Sequence, residues 1–103
     1  MIILMFEEEE IQRIRIPKKG EVLGVAMVML GAGKITVKCE DGNTRLCRIA
    51  GRIRKKLWIR IGDVVLVEPW IVQTNERGDI IWIYTKTQAN WLRRKGYIKT
   101  ILE

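Results

Sequence analysis

The stretch from Lys34 to Cys39 alternates without a break: Ile35, Val37 and Cys39 fall on one side of an extended chain, and Lys34, Thr36 and Lys38 on the other. A repeat of two residues can bury a single face only as a β-strand, so one face belongs to a core and the other is basic surface. Glu40-Asp41-Gly42-Asn43 follows. Gly42 can take the positive φ of a tight turn, and Thr44 to Ile49 is therefore predicted to pair back as the next strand of a hairpin. In that hairpin Cys39 is expected to oppose Thr44 and Cys47 to oppose Thr36 on the other face, so that the two thiols do not bond.

Similar signals recur about every ten residues, the rhythm of a small all-β domain. Glu21 to Leu30 reads as a first strand bent at Gly24, turned back by Leu30 to Lys34. Thr44 to Ile49 alternates imperfectly, with Arg45, Cys47 and Ile49 on one nominal face and Leu46 and Arg48 on the other. That pattern fits either a bulge or a strand bordering two surfaces. Arg52 to Trp58 has no clean period and reads as a short helical turn or a loop, leading to Ile59, Ile61 and a turn at Gly62-Asp63. Val64 to Trp70 is an apolar run interrupted by Glu68 and stopped near Pro69, a buried strand that reaches an edge. Gln73 to Asp79 is the next turn, and Ile80 to Tyr84 is the last strand. Trp70 and Trp82 are expected to be buried in these strands.

Thr85 and Gln88 have the spacing of a capping box, Arg93, Arg94 and Lys95 suit a helix C-terminus, and Gly96 suits the position after it. Residues 86 to 95 are thus a short helix, docked by Ala89 and Leu92 with Trp91 in the core. Tyr97, Ile98, Ile101 and Leu102 pack the trailing segment. The predicted fold is all-β with a short C-terminal helix: a five-stranded antiparallel barrel of the oligonucleotide-binding type, with its connector between strands three and four. Residues 1 to 19 form a flexible N-terminal arm, 20 to 85 the barrel, and 86 to 103 the helix and a tail packed on it.

Charge says what such a barrel is for. The chain of 103 residues carries a formal charge of +7, and Glu7 to Glu10 supply four of its twelve acids. Seven of the nineteen residues from Arg45 to Asp63 are Arg or Lys, interleaved with apolar residues, so the charge sits on folded backbone. A solvated face without a ligand is the plain alternative. Against it, a one-signed field of this size repels itself, which a fold tolerates mainly for binding a polyanion. The candidate RNA contacts are Lys34, Lys38, Arg45, Arg48, Arg52, Arg54, Lys55, Lys56 and Arg60, with Arg13, Arg15, Lys18, Lys19 and Trp58 as secondary candidates. Trp58 either stacks on an unpaired base or is half-buried among Leu57 and Ile59.

Two cysteines and no histidine are too few soft ligands for a four-coordinate zinc site, and no metal or cofactor is expected. The missing histidine also removes the commonest general base, and the acids form no motif, so the chain does not read as an enzyme. Met1 to Phe6 is too short for a signal-peptide core or a membrane span, which points to a cytoplasmic monomer with no membrane partner. Residues 1 to 10 are expected to be dispensable for folding.

The segment LGAGKITVKCEDGNTRLCRIAGRIRKKLWIRIGDVVLV resembles the core of translation initiation factor 1A, a family shared by archaea and eukaryotes. The matching pieces are the Leu30 to Lys34 turn, Cys39 to Gly42, Arg45-Leu46-Cys47, Gly51 to Trp58 with Gly62-Asp63, and Asp79 to Ile81 with Tyr84-Thr85. The bacterial initiation factor 1 shows more faintly in Gly51 to Ile61. Gly31-Ala32-Gly33 stands where the family commonly has Gly-Asn-Gly. The acidic C-terminal tail of eukaryotic members does not follow the matching segment, so the likeness is to an archaeal member. The resemblance implies a factor that binds the decoding region of the small ribosomal subunit at the A site and helps place initiator tRNA at the start codon. Its implied partners are small-subunit rRNA, other initiation factors and the initiator tRNA complex. The runner-up is a cold-shock-type chaperone of single-stranded RNA, which needs exposed aromatics on strands two and three; those strands contain none.

Overall fold

The computed structural model describes residues 14–50 and 59–99. Five strands, β1 (Val22–Gly31), β2 (Lys34–Cys39), β3 (Thr44–Ile49), β4 (Val64–Pro69) and β5 (Arg77–Ile83), close into a barrel in the order β1-β2-β3-β5-β4. All neighbouring strands are antiparallel except β3 and β5, which run parallel from Leu46↔Arg77 to Ile49↔Ile80. The fold is thus the predicted five-stranded barrel, closed by one parallel pair that local pattern does not reveal.

Closure depends on β1, which pairs with β2 over its length and with β4 at its start. Gly24 is opposite Cys39 on one side and Val65 on the other. A Cβ there would lie 2.5 Å from Val37 Cγ1 and 2.9 Å from the Lys38 carbonyl oxygen, so only glycine permits the strands to approach this closely. The irregularities in β1 register come later, between Ala26 and Val28 and between Met29 and Gly31.

The β2–β3 register differs by one residue from the sequence expectation. Lys38 is opposite Thr44 and Ile35 opposite Cys47, and the Cys39 amide donates to the Asn43 carbonyl at 2.9 Å. Directly opposed residues share a face, so this register sets the inward positions 35, 37 and 39 against the inward positions 45 and 47. The predicted register would have put an apolar strand face against a polar one. Cys39 and Cys47 consequently both face the core as free thiols, not opposite faces. No register shift interrupts this pair, so β3 needs no bulge: Arg45 itself points inward.

Two apolar clusters organise the interior. Ala26, Ile35, Val37, Cys39, Cys47, Val65, Val67 and Ile80 fill the barrel, whereas Leu23, Val25, Val64, Leu66, Ile81 and Tyr84 pack outside it against Ala89, Leu92 and Ile98. Residues of β4 alternate between these clusters, which is why its sequence is a continuous apolar run. The last strand starts at Arg77, not Ile80, because the parallel pairing with β3 recruits Arg77, Gly78 and Asp79.

The helix α1 (Lys86–Arg94) begins as predicted. Thr85 Oγ1 accepts from the Gln88 amide at 3.2 Å, and Gln88 Oε1 accepts from the Thr85 amide at 3.1 Å. Ala89 and Leu92 are buried; Trp91 is only half-buried, stacked on Tyr97 with ring centroids 6.1 Å apart. Part of the expected arm is tied down: Ile14 packs on the outer cluster, the Tyr84 hydroxyl donates to the Arg15 carbonyl, and Arg15 pairs with Glu21 at 3.4 Å. Residues 1 to 13, Ile101 and Leu102 lie outside the described residues.

Candidate nucleic-acid interface

Strand parity sorts the basic residues into two groups. Lys34 and Lys38 on β2 and Arg48 on β3 point away from the barrel and are exposed. Lys34 and Arg48 stand opposite one another, and Lys38 lies at the far end of β2 opposite Thr44. This is a basic outer face, on two strands that carry no aromatic residue of their own, that can meet phosphates through charge.

Arg45 does not belong to it. Only 2% of its surface is exposed, and its guanidinium is engaged at one end of the barrel. Nη1 and Nη2 donate to the two oxygens of Asp41 at 3.1 and 2.8 Å, and Nε donates to the Thr74 carbonyl at 2.7 Å. The expectation that Arg45 extends the RNA-contacting patch is corrected: an inward β3 position delivers its charge to Asp41 and to the β4–β5 loop. The hydrogen bonds from Arg45 hold the Asp41 carboxyl below its usual range. Burial pushes the Cys47 thiol up to about 12 and raises Cys39 as well, so neither thiol is an available nucleophile.

The remaining sequence candidates scatter. Arg60 is exposed on the 60–63 turn, which is fastened to β1 by the Gly62 amide on the Ala26 carbonyl at 2.8 Å. Arg15 is occupied by Glu21, whereas Lys18 and Lys19 are exposed and line a cleft shared with Arg48. Arg13, Arg52, Arg54, Lys55, Lys56 and Trp58 lie outside the described residues.

Trp70 is the residue that sequence reasoning missed. It is half-buried at the end of β4, its Nε1 donates to Asp79 Oδ1 at 2.9 Å, and the Arg48 guanidinium lies 4.8 Å from its ring centroid. The same Asp79 oxygen accepts from Arg48 Nε at 3.3 Å. The available signal was Pro69 immediately before Trp70, since proline is confined to strand edges and ends; the Trp70 amide still donates to the Arg77 carbonyl at 3.1 Å, one step past β4.

Residues 9–103 match the sequence model of the family described as "Translation initiation factor 1A / IF-1". The chain is 57% identical over 97 residues to Translation initiation factor 1A of Archaeoglobus fulgidus, covering 92% of this chain and 99% of that one. It is 52% identical over 93 residues to the Methanothermobacter thermautotrophicus protein of the same name, covering 90% and 94%. Among solved structures, it is similar to the bacterial-type translation initiation factor 1 from the Wolbachia endosymbiont of Brugia malayi. That match has a TM-score of 0.51 and 35% identity, over 67% of this chain and 82% of the other. A closed five-stranded barrel with a basic outer face, matched over nearly its whole length, thus belongs to the translation initiation factor 1A / IF-1 family.

Proposed function

We propose that this protein binds the small ribosomal subunit at the decoding region of the A site and helps place initiator tRNA at the start codon. Other initiation factors and the initiator tRNA complex are its further partners, and it works as a cytoplasmic monomer. The observation that carries this reading is the outward set Lys34, Lys38 and Arg48 on β2 and β3, the strands that form the usual ligand face of such a barrel. Those strands offer charge without stacking rings, which suits folded rRNA read by its backbone and shape. The connector adds Arg52, Arg54, Lys55 and Lys56, four cations within five residues.

In this reading residues 20 to 85 are the binding barrel, residues 86 to 103 brace it, and the N-terminal segment contributes Arg13, Lys18 and Lys19 at its margin. Sedimentation with purified subunits tests the proposal. Binding to small and not to large subunits supports it, and equal binding to any single-stranded RNA replaces it with the chaperone reading. Arg54→Glu, Lys55→Glu and Lys56→Glu together are expected to abolish small-subunit binding, because three phosphate contacts are lost and repulsion is added.

A further inference from the structure

Arg48 is exposed and yet held. Its side chain is 59% exposed, but the parallel pairing of β3 with β5 sets it directly opposite Asp79. Nε donates to Asp79 Oδ1 at 3.3 Å, and the guanidinium lies over the Trp70 ring, 4.8 Å from its centroid. The same Asp79 oxygen accepts from Trp70 Nε1 at 2.9 Å, so guanidinium, carboxylate and indole form a closed triangle in which each member restrains the other two. Its corners come from β3, from β5 and from the residue that follows β4.

Neither ordinary use of a surface ion pair explains the triangle. As a stabiliser it is poor, because a pair this exposed contributes little. As part of a basic face it works against the field, because a carboxylate beside a polyanion repels it. What Asp79 and Trp70 do supply is order: an unrestrained arginine loses its rotamer freedom when it grips a ligand, whereas Arg48 has lost much of it on folding. The bond to Asp79 uses Nε, and among the described residues Nη1 and Nη2 donate to nothing. Those two nitrogens form the fork that grips a phosphate with parallel N–H groups. Exposed cations surround it, with Lys34 directly opposite on β2 and Lys18 and Lys19 across the cleft.

We infer that Asp79 and Trp70 are positioning residues, which hold the Arg48 guanidinium so that its terminal fork meets one phosphate of the bound RNA; the inference rests on the RNA-binding reading above. Neither residue touches the RNA, and each acts through Arg48. Lysine cannot take the place of Arg48, because an ammonium has no Nε for Asp79 to anchor and no flat face to lie on the ring. Ordering one long side chain in advance strengthens binding by about fivefold. It adds no charge, so the salt dependence of binding stays the same.

The test measures binding of full-chain variants to purified small ribosomal subunits at several salt concentrations, with melting curves on the same samples. Asp79→Ala is expected to weaken binding about fivefold at an unchanged salt slope, although it removes a repelling carboxylate and charge alone calls for tighter binding. Asp79→Asn keeps an acceptor for Nε and is expected to return affinity to within about twofold of wild type. Trp70→Leu alters no charge and is expected to weaken binding as Asp79→Ala does. In an Arg48→Ala background, Asp79→Ala and Trp70→Leu are expected to change binding no further, since each acts through the missing guanidinium. Unchanged or tighter binding by Asp79→Ala or Trp70→Leu, an Asp79→Asn variant as weak as Asp79→Ala, or an equal loss in the Arg48→Ala background overturns the positioning role and leaves the RNA-binding reading standing. If Asp79→Ala does not fold, Trp70→Leu with and without Arg48→Ala decides by the same criteria. A wild-type chain that does not bind small subunits overturns the RNA-binding reading, and the positioning role with it.

Discussion

Arg45 and Arg48 lie three residues apart on one strand, in one basic run, and do opposite work. Arg45 is 2% exposed and shared between Asp41 and the Thr74 carbonyl, whereas the Arg48 side chain is 59% exposed, with a single long ion pair to Asp79 and a tryptophan beneath it. An odd spacing on a strand reverses the face, so one arginine joins loops from inside and the other faces outward. Charge density along a sequence therefore overstates a binding surface by the cations turned inward.

The comparison predicts different losses. Arg45→Ala should destabilise the fold by about 3 kcal/mol, since it opens a hole in the rim and strands the Thr74 carbonyl and Asp41. Denaturant unfolding measures it; a loss near zero would mean that the buried arginine is only tolerated.

Asp41→Asn is next in size, about 1–2 kcal/mol at neutral pH, because the amide still accepts one hydrogen bond from Arg45. The folded carboxyl titrates below its unfolded value, so its stabilisation is complete above an unfolded pKa of about 3.9 and is lost as pH falls through the lower folded value. The Tm difference between wild type and Asp41→Asn should shrink over that acid window. A constant difference would break the link between Asp41 ionisation and the rim.

Arg48→Ala should change stability by no more than about 0.5 kcal/mol, as an exposed ion pair contributes little. It should lower the salt slope of small-subunit binding by about one, read from binding at several salt concentrations. Smallest of all, removing residues 1–10 should leave the melting temperature nearly unchanged, because the acidic block Glu7 to Glu10 separates a short apolar start from the barrel and offers a core nothing to bury. A loss above about 2 kcal/mol would place those residues in the core.

How much of this was legible follows from how local each feature is. The strands, the Asp41-Gly42 turn and the capping box of α1 are written in neighbouring residues, and the fold class came with them. The parallel β3–β5 closure is not, since Arg77 to Asp79 resemble a turn until β3 lies beside them. The thiols were misplaced by a one-residue error in hairpin register, too small for turn chemistry to decide and large enough to reverse a face. Of the outward basic face, Lys34 and Lys38 were legible from the alternation of β2, whereas the imperfect alternation of β3 left the side of Arg48 open. Arg45 was not, because an arginine on an apolar face reads as a broken pattern until Asp41 and Thr74 are brought to it. Trp70 was hidden by the opposite prejudice, that a tryptophan after an apolar strand is core.

The most direct test of the outward face is the salt dependence of small-subunit binding for Lys34→Glu/Lys38→Glu, with melting curves on the same samples. Both side chains are exposed, so the melt should match wild type. The binding slope should fall by about two, and affinity should drop further through repulsion. A folded double variant that binds small subunits with the wild-type affinity and slope would show that this face is merely solvated, and would contradict the account.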